Sequence, residues 1–264
     1  TQHGGRFRRE LSSEFTGQNT STQRSVALLV TCEHGGNRIP AAYAALFRGC
    51  RQLLDSHRGY DRGALVMARA LARAFDAPLL GSTVSRLLVE LNRSPGRQFR
   101  ESPVMRLASG ATRAALCERY YTPHWTAAEA FVAAAVAAGR RVLHVSSHSF
   151  TPSLDGAIRT ADVGLLYDPR RSRERALCKR WQATLRTRIP GWITRRNYPY
   201  RGSGDGLTRY LRSRFADDAY CGIELEINQK HVGDAGSIAA LERAAIVAAL
   251  RDALSGDPRP FRSP

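Results

Sequence analysis

Residues 26–40 read VALLVTCEHGGNRIP. Val26 to Cys32 is an unbroken apolar run rich in β-branched residues, the composition of a strand buried on both faces. Glu33-His34-Gly35-Gly36-Asn37 follows at once, a polar cluster in which two glycines let the backbone turn tightly beside an imidazole. Pro40 then opens a short helix through Phe47. The rest of the chain continues this alternation. Gly63 to Phe75 carries apolar residues at helical spacing, with Asp61 just ahead as a candidate N-cap. Strands are expected over 84–91, 141–147, 162–167 and 221–227. Helices are expected over 103–139, with an interruption near Pro123, and over 171–188 and 237–254. No linker rich in Pro, Gly or Ser divides the chain. The expected fold is a single α/β domain over 25–256, with helices on both faces of a central sheet, between tails at 1–24 and 257–264.

Bulk composition narrows the function classes. The chain has 264 residues, 43% hydrophobic and 24% charged, which excludes a wholly disordered or fibrous chain. The formal net charge is +17, yet only two of the 40 basic residues are lysines, Lys179 and Lys230. Such a charge first suggests a nucleic-acid or membrane binder. The arginines are scattered, however, and a genome whose base composition favours Arg codons accounts for them equally well. No run reaches the ~18 apolar residues of a membrane helix; the most apolar stretch, 127–138, is Ala-rich and carries Glu129. Thr1 to Arg24 is polar and basic without the apolar core of a secretory signal. The five cysteines are odd in number, widely spaced and lack a C-x-x-C pair, so a reducing cytoplasm is expected, without a disulfide framework.

In an open α/β sheet, ligands bind outside the carboxyl ends of the strands. Three polar clusters fall at expected strand ends: 33–37, Asn92-Arg93, and His148 in VSSHSFTP. Either histidine alone suits a turn residue bonded to backbone. Two at one sheet edge point instead to a zinc site of two imidazoles and a carboxylate. Asp61 is the candidate carboxylate, with helix capping as its plain role; Asn37 is the other candidate, a weak ligand. Glu33 adjoins His34 and points to the other face, as a supporting or structural group. Ser85 to Arg93 brings Arg86, Asn92 and Arg93 near one strand end, and Arg binds carboxylates through two parallel hydrogen bonds. Glu224 and Glu226 share one face of an apolar strand, a costly placement unless paired or functional, so one of them could be a general base. Asn197 to Arg212, rich in Gly and aromatics, reads as a long flexible loop suited to covering substrate. No phosphate-binding Gly-rich motif and no G-x-S-x-G elbow occurs.

Taken in order, CEHGGNRIP, DRGA, SRLLVELNR, VSSHSFTP and IELEINQ resemble the N-formylglutamate amidohydrolase family, from about Val26 to about Gln229. The resemblance implies a mixed central sheet of the phosphorylase/hydrolase-like kind, akin to zinc carboxypeptidases and aspartoacylase. It implies zinc-dependent cleavage of the amide of an N-acyl acidic amino acid, such as N-formyl-L-glutamate to formate and glutamate. Carried over, His34, Asp61 and His148 are the implied zinc ligands and Glu226 the implied general base. Arg86 would help bind or polarise the carbonyl. Asn92 and Arg93 would grip the substrate carboxylate. His34-Gly35-Gly36-Asn37 departs from the carboxypeptidase-like His-x-x-Glu, which leaves Asp61 and Asn37 both open as third ligand.

Two other functions fit some of these features. A zinc carboxypeptidase or deacylase acting on a peptide or cell-wall fragment would use the same site under the long 198–206 loop. A basic nucleic-acid-binding protein with a degenerate hydrolase fold would use the charge, but no basic block interleaved with aromatics supports it. The expected partner is a small anionic substrate, with neither membrane nor nucleic acid.

Overall fold

The apolar run that opens the chain forms strand β1 (Val26–Cys32), and it becomes the organising strand of a six-stranded sheet. The computed structural model describes residues 25–256; the expected tails at 1–24 and 257–264 lie outside the described residues. The remaining sheet strands are β2 (Leu79–Gly81), β3 (Arg141–Phe150), β6 (Val163–Leu166), β7 (Thr194–Arg196) and β8 (Tyr220–Asn228), in the order β2-β1-β3-β8-β6-β7. A small hairpin of β4 (Ser153–Leu154) and β5 (Ala157–Ile158) stands apart from it. Strands β2, β1, β3 and β8 run parallel. Strand β6 runs antiparallel to β8, which makes the sheet mixed.

Helices cover both faces. On one face lie α2 (Ala64–Ala74), α5 (Ser172–Arg188) and α7 (Ala240–Ser255). Their inward residues, among them Met67, Leu71, Leu177, Trp181, Ile246 and Leu250, join Val30, Leu143, Ile223 and Leu225 of the strands in one buried cluster. On the other face lie α4 (Thr122–Ala137) and α6 (Leu207–Arg214). There Trp125, Val132 and Leu211 pack with Leu29, Val142 and the buried segment around Leu88. Each fully buried large aliphatic side chain contributes about 1.5–3 kcal/mol. The short α1 (Arg51–Asp55) and α3 (Gly110–Leu116) are peripheral. Among the described residues no helix is long and apolar enough to cross a membrane.

Three local expectations are corrected. Residues 84–91 form no strand. Apart from an isolated bridge between Val84 and Arg38, the segment turns on itself through bonds such as Leu88 N to Ser85 O (2.9 Å) and Glu90 N to Gln98 O (3.0 Å). A short apolar run records burial, and burial alone does not distinguish a strand from a packed turn. The helix expected from Pro103 begins at Gly110, capped by Ser109, and its break is a π-helical turn over Cys117–Tyr121. The stretch 197–212 is a loop only as far as Gly206, because α6 begins at Leu207.

Two buried polar groups hold the strands. His144 bridges Thr31 Oγ1 (2.8 Å) and Tyr220 Oη (2.7 Å), stitching β1, β3 and β8. Burial pushes its imidazole down to about 4, so it stays neutral. Glu174 at the start of α5 pairs with Arg212 of α6 at 2.9 Å, both buried. Glu174 also accepts from the backbone N–H of Gly222 (3.0 Å) and Asp168 (2.9 Å), and Arg212 donates to Gly222 O (2.7 Å). Removing one partner of such a pair strands the other charge, so Glu174→Ala should lower the unfolding free energy by about 3–5 kcal/mol in urea titration. A loss below about 1 kcal/mol would show that the pair does not hold these elements together.

Candidate active site

His34 lies two residues beyond β1, in a turn that presses against residues 82 and 83. A Cβ on Gly35 would meet Ser82 O at 2.8 Å, and one on Gly36 would meet Thr83 O at 2.7 Å. The glycines therefore permit a close backbone approach, and the turn they shape fixes the imidazole. Asp61 sits in the turn before α2, its N–H donating to His34 O at 2.9 Å. It does not cap the helix, whose N-cap is Gly63. Its carboxylate turns inward to the histidines. His148 stands near the carboxyl end of β3, directly across from Glu226 of β8.

These elements bring three buried ligand atoms together. Asp61 Oδ2 lies 3.3 Å from His34 Nδ1 and 3.0 Å from His148 Nδ1. His34, Asp61 and His148 each offer a ligand atom, all within 4.8 Å of one another. The far ring nitrogens are engaged elsewhere. His34 Nε2 donates to Glu90 Oε1. His148 Nε2 donates to Ser146 Oγ at 2.8 Å, and that hydroxyl donates onward to Glu33 Oε2 at 2.7 Å. With both Nε2 atoms engaged, the two Nδ1 atoms face Asp61 Oδ2, and protons on the rings hydrogen-bond them to that carboxylate; a cation replacing those protons would meet two imidazole nitrogens and a carboxylate oxygen. A divalent cation fits this donor set, and the outer carboxylates supply the orienting partners that ligating histidines require. Asn37 is not among these atoms; it donates to Asp55 Oδ1 at 2.9 Å.

Electrostatics agree with this geometry. Burial opposes charge on Asp61, but His34, His148 and Arg86 hold its carboxyl well below the usual range. Burial likewise opposes charge on His148, and the Asp61 and Glu33 carboxylates hold it well above its ordinary value. Arg86 donates from Nε to Glu90 Oε2 (2.8 Å) and from Nη1 to Asp61 Oδ1 (3.3 Å), closing a ring of charge around His34.

Beside the trio opens a cavity of about 430 Å³, lined by Arg86, Asn92, Arg93, Tyr200, Arg201 and Glu226 among others. Asn92 lies with its Nδ2 3.4 Å from His148 Nε2 and accepts from Leu207 N–H at 2.9 Å. The segment carrying it is fixed by Trp125 Nε1 on Leu91 O (2.7 Å) and Tyr121 Oη on Arg93 O (2.8 Å). Arg93 Nη1 donates to Asn92 O at 2.8 Å. The two candidate acids of β8 differ. Glu224 accepts from Thr208 Oγ1 at 2.5 Å. Glu226 has a buried Oε2 without a partner. Burial, reinforced by Asp61 and Glu224, pushes its carboxyl up to about 8. All seven expected site residues thus line this cavity. Glu90, two residues before Asn92, is the residue that sequence reasoning misses, although it orients both His34 and Arg86; a lone acid inside the apolar run Leu87 to Leu91 is its signal.

The N-formylglutamate amidohydrolase family model matches residues 26–232. Among solved structures the chain is similar to gene product Atu2144 of Agrobacterium tumefaciens, with 30% identity and a TM-score of 0.71 over 86% of this chain and 90% of that one. It is also similar to the N-formylglutamate amidohydrolase of Ralstonia eutropha JMP134, with 20% identity and a TM-score of 0.63 over 88% of this chain and 94% of that one, a likeness of fold. No curated protein matches the sequence.

The converging ligand atoms generate a binding prediction. Metal-stripped protein titrated with a divalent transition metal should take up about one ion, and Glu90→Gln should weaken uptake about 10- to 100-fold. Equal affinity in the variant would remove Glu90 from any role in orienting His34.

Proposed function

The chain belongs to the N-formylglutamate amidohydrolase family, and from that premise we propose that it is a zinc-dependent amidohydrolase cleaving the amide of an N-acyl acidic amino acid, with N-formyl-L-glutamate as the reference substrate. The observation that carries the reading is the convergence of His34, Asp61 and His148 beside the unpartnered carboxyl of Glu226, in one cavity with Asn92 and Arg93. Zinc held by the trio would supply Lewis acidity to a water molecule and to the acyl carbonyl.

The remaining work falls to the chain's own residues. Arg93 and Asn92 hold the substrate's α-carboxylate at the cavity wall, which fixes the amide relative to Glu226. Arg86, kept rigid by Glu90 and Asp61, faces the acyl oxygen and favours negative charge there. Glu226 takes a proton from the attacking water and returns it to the leaving nitrogen. The bond broken is C–N, the bond formed is C–O, and the products are formate and glutamate. A carboxyl raised by burial is a stronger base than an exposed one, and the same burial keeps bulk water from competing for its proton.

Purified protein supplied with zinc should release formate from N-formyl-L-glutamate. Because Glu226 acts in its ionised form and burial pushes its carboxyl up to about 8 without a cation beside it, the rate should climb with rising pH, over a range that a bound cation moves lower. Glu226→Gln should lower kcat about 100- to 10,000-fold, with a smaller change in KM. Full activity in that variant, or in zinc-free protein, would overturn the mechanism.

A further inference from the structure

Three guanidinium groups line the cavity, and they are not equivalent. Arg86 is committed to two carboxylates, Glu90 at 2.6 Å and Asp61 at 3.3 Å. Arg93 is turned by backbone carbonyls, Asn92 O at 2.8 Å and Asp205 O at 3.5 Å, and among the described residues it forms no ion pair with a carboxylate. Arg201 is exposed, lines the same cavity, and its side chain makes no hydrogen bond or ion pair among the described residues. Of the acids lining the cavity, Asp205 is engaged with Ser94 and Arg97, Glu224 with Thr208 and Asp61 with the histidines, and Glu226 makes no ion pair with Arg201. The cavity therefore holds two guanidiniums free of carboxylate partners, one more than a single α-carboxylate requires.

The backbone around Arg201 is fixed while its side chain is free. Asn197, in the left-handed region at φ 51°, accepts through Oδ1 from Tyr167 N–H (3.0 Å) and Gly202 N–H (3.1 Å). Gly202 lies so close to the end of β6 that a Cβ there would stand 2.0 Å from Tyr167 N. The buried Arg212 donates to Gly202 O at 2.5 Å. Arg159 donates to Tyr200 Oη at 3.1 Å and stacks over its ring. A guanidinium without a partner on a backbone held in place is available to a ligand anion, and binding orders the side chain alone.

We propose that Arg201 binds the side-chain carboxylate of the substrate and so makes the site selective for acidic N-acyl amino acids. This rests on the function proposed above, in which Arg93 takes the α-carboxylate. The two guanidiniums then match the two carboxylates of a glutamate-like substrate, and a neutral isostere leaves Arg201 without a partner.

The experiment compares N-formyl-L-glutamate with N-formyl-L-glutamine, which differ only in that carboxylate, on wild type, Arg201→Gln and Arg201→Lys. Wild type should prefer the glutamate substrate. Arg201→Gln should lower kcat/KM for it about 10- to 100-fold, through KM, and change the glutamine substrate far less. Arg201→Lys should recover part of the preference. A wild-type preference retained in Arg201→Gln, or an equal loss on both substrates, would overturn the assignment. Calorimetric binding of L-glutamate to wild type and to Arg201→Gln provides an arm independent of turnover. Should wild type cleave neither substrate, the proposed function fails, and the calorimetry still decides the Arg201 contact: a weakened variant supports it, and equal affinity overturns it.

Discussion

Two imidazoles and a carboxylate buried around one point are the constraint on which this molecule depends. Asp61 Oδ2 meets the Nδ1 atoms of His34 and His148 there, and the buried carboxylate is balanced by protons on those rings or by a cation in their place. Burying such groups costs several kcal/mol each unless they are compensated. The surroundings are arranged around that cost. Glu90 and the Ser146–Glu33 relay fix the two imidazoles by their far nitrogens. Arg86 joins Glu90 to Asp61. A second charged chain reaches His124, whose Nε2 lies 3.5 Å from Glu33 Oε1, an ion-pair distance without hydrogen-bond geometry.

Parallel pairing is what assembles the trio from distant sequence. Residues 34, 61 and 148 meet because β1 and β3 are adjacent and end at the same edge, and because α2 returns from that edge across the sheet. The register of β3 with β8 then sets Glu226 beside His148. A shift of one residue would turn Glu226 to the opposite face and replace it with an aliphatic neighbour. The buried Glu174–Arg212 pair acts at a distance from the cavity. By tying α5, α6, β8 and Gly202 together, it holds the segment that carries Tyr200 and Arg201 against the sheet.

Much of this was legible in the residues. The β1 run, the helical spacing of 64–74 and the apolar strand bearing Glu224 and Glu226 announced the layers, and the polar clusters announced the edge where they meet. The segment 84–91 reads as a strand yet is none, because burial produces the same apolar run whether the backbone is extended or turned; the fixing of the chain around it by Trp125 and Tyr121 is a long-range fact. Asp61 was readable equally as a cap or a ligand, and only the direction of its side chain separates them. The loop at 197–206 looked flexible because it is rich in Gly and aromatics, whereas Gly202 is there to let the backbone approach Tyr167. The net charge of +17 pointed at first to polymers. Within the cavity it resolves into one guanidinium already neutralised and two available to a small dianion, and the excess elsewhere would raise the encounter rate with anions at low ionic strength.

Anomalous diffraction at the zinc absorption edge, on crystals of the zinc-loaded protein, tests the central claim most directly. The account predicts one peak within bonding distance of His34 Nδ1, His148 Nδ1 and an Asp61 carboxylate oxygen, with Glu226 facing it across the cavity. A peak held through either Nε2, or by residues outside this trio, would contradict it.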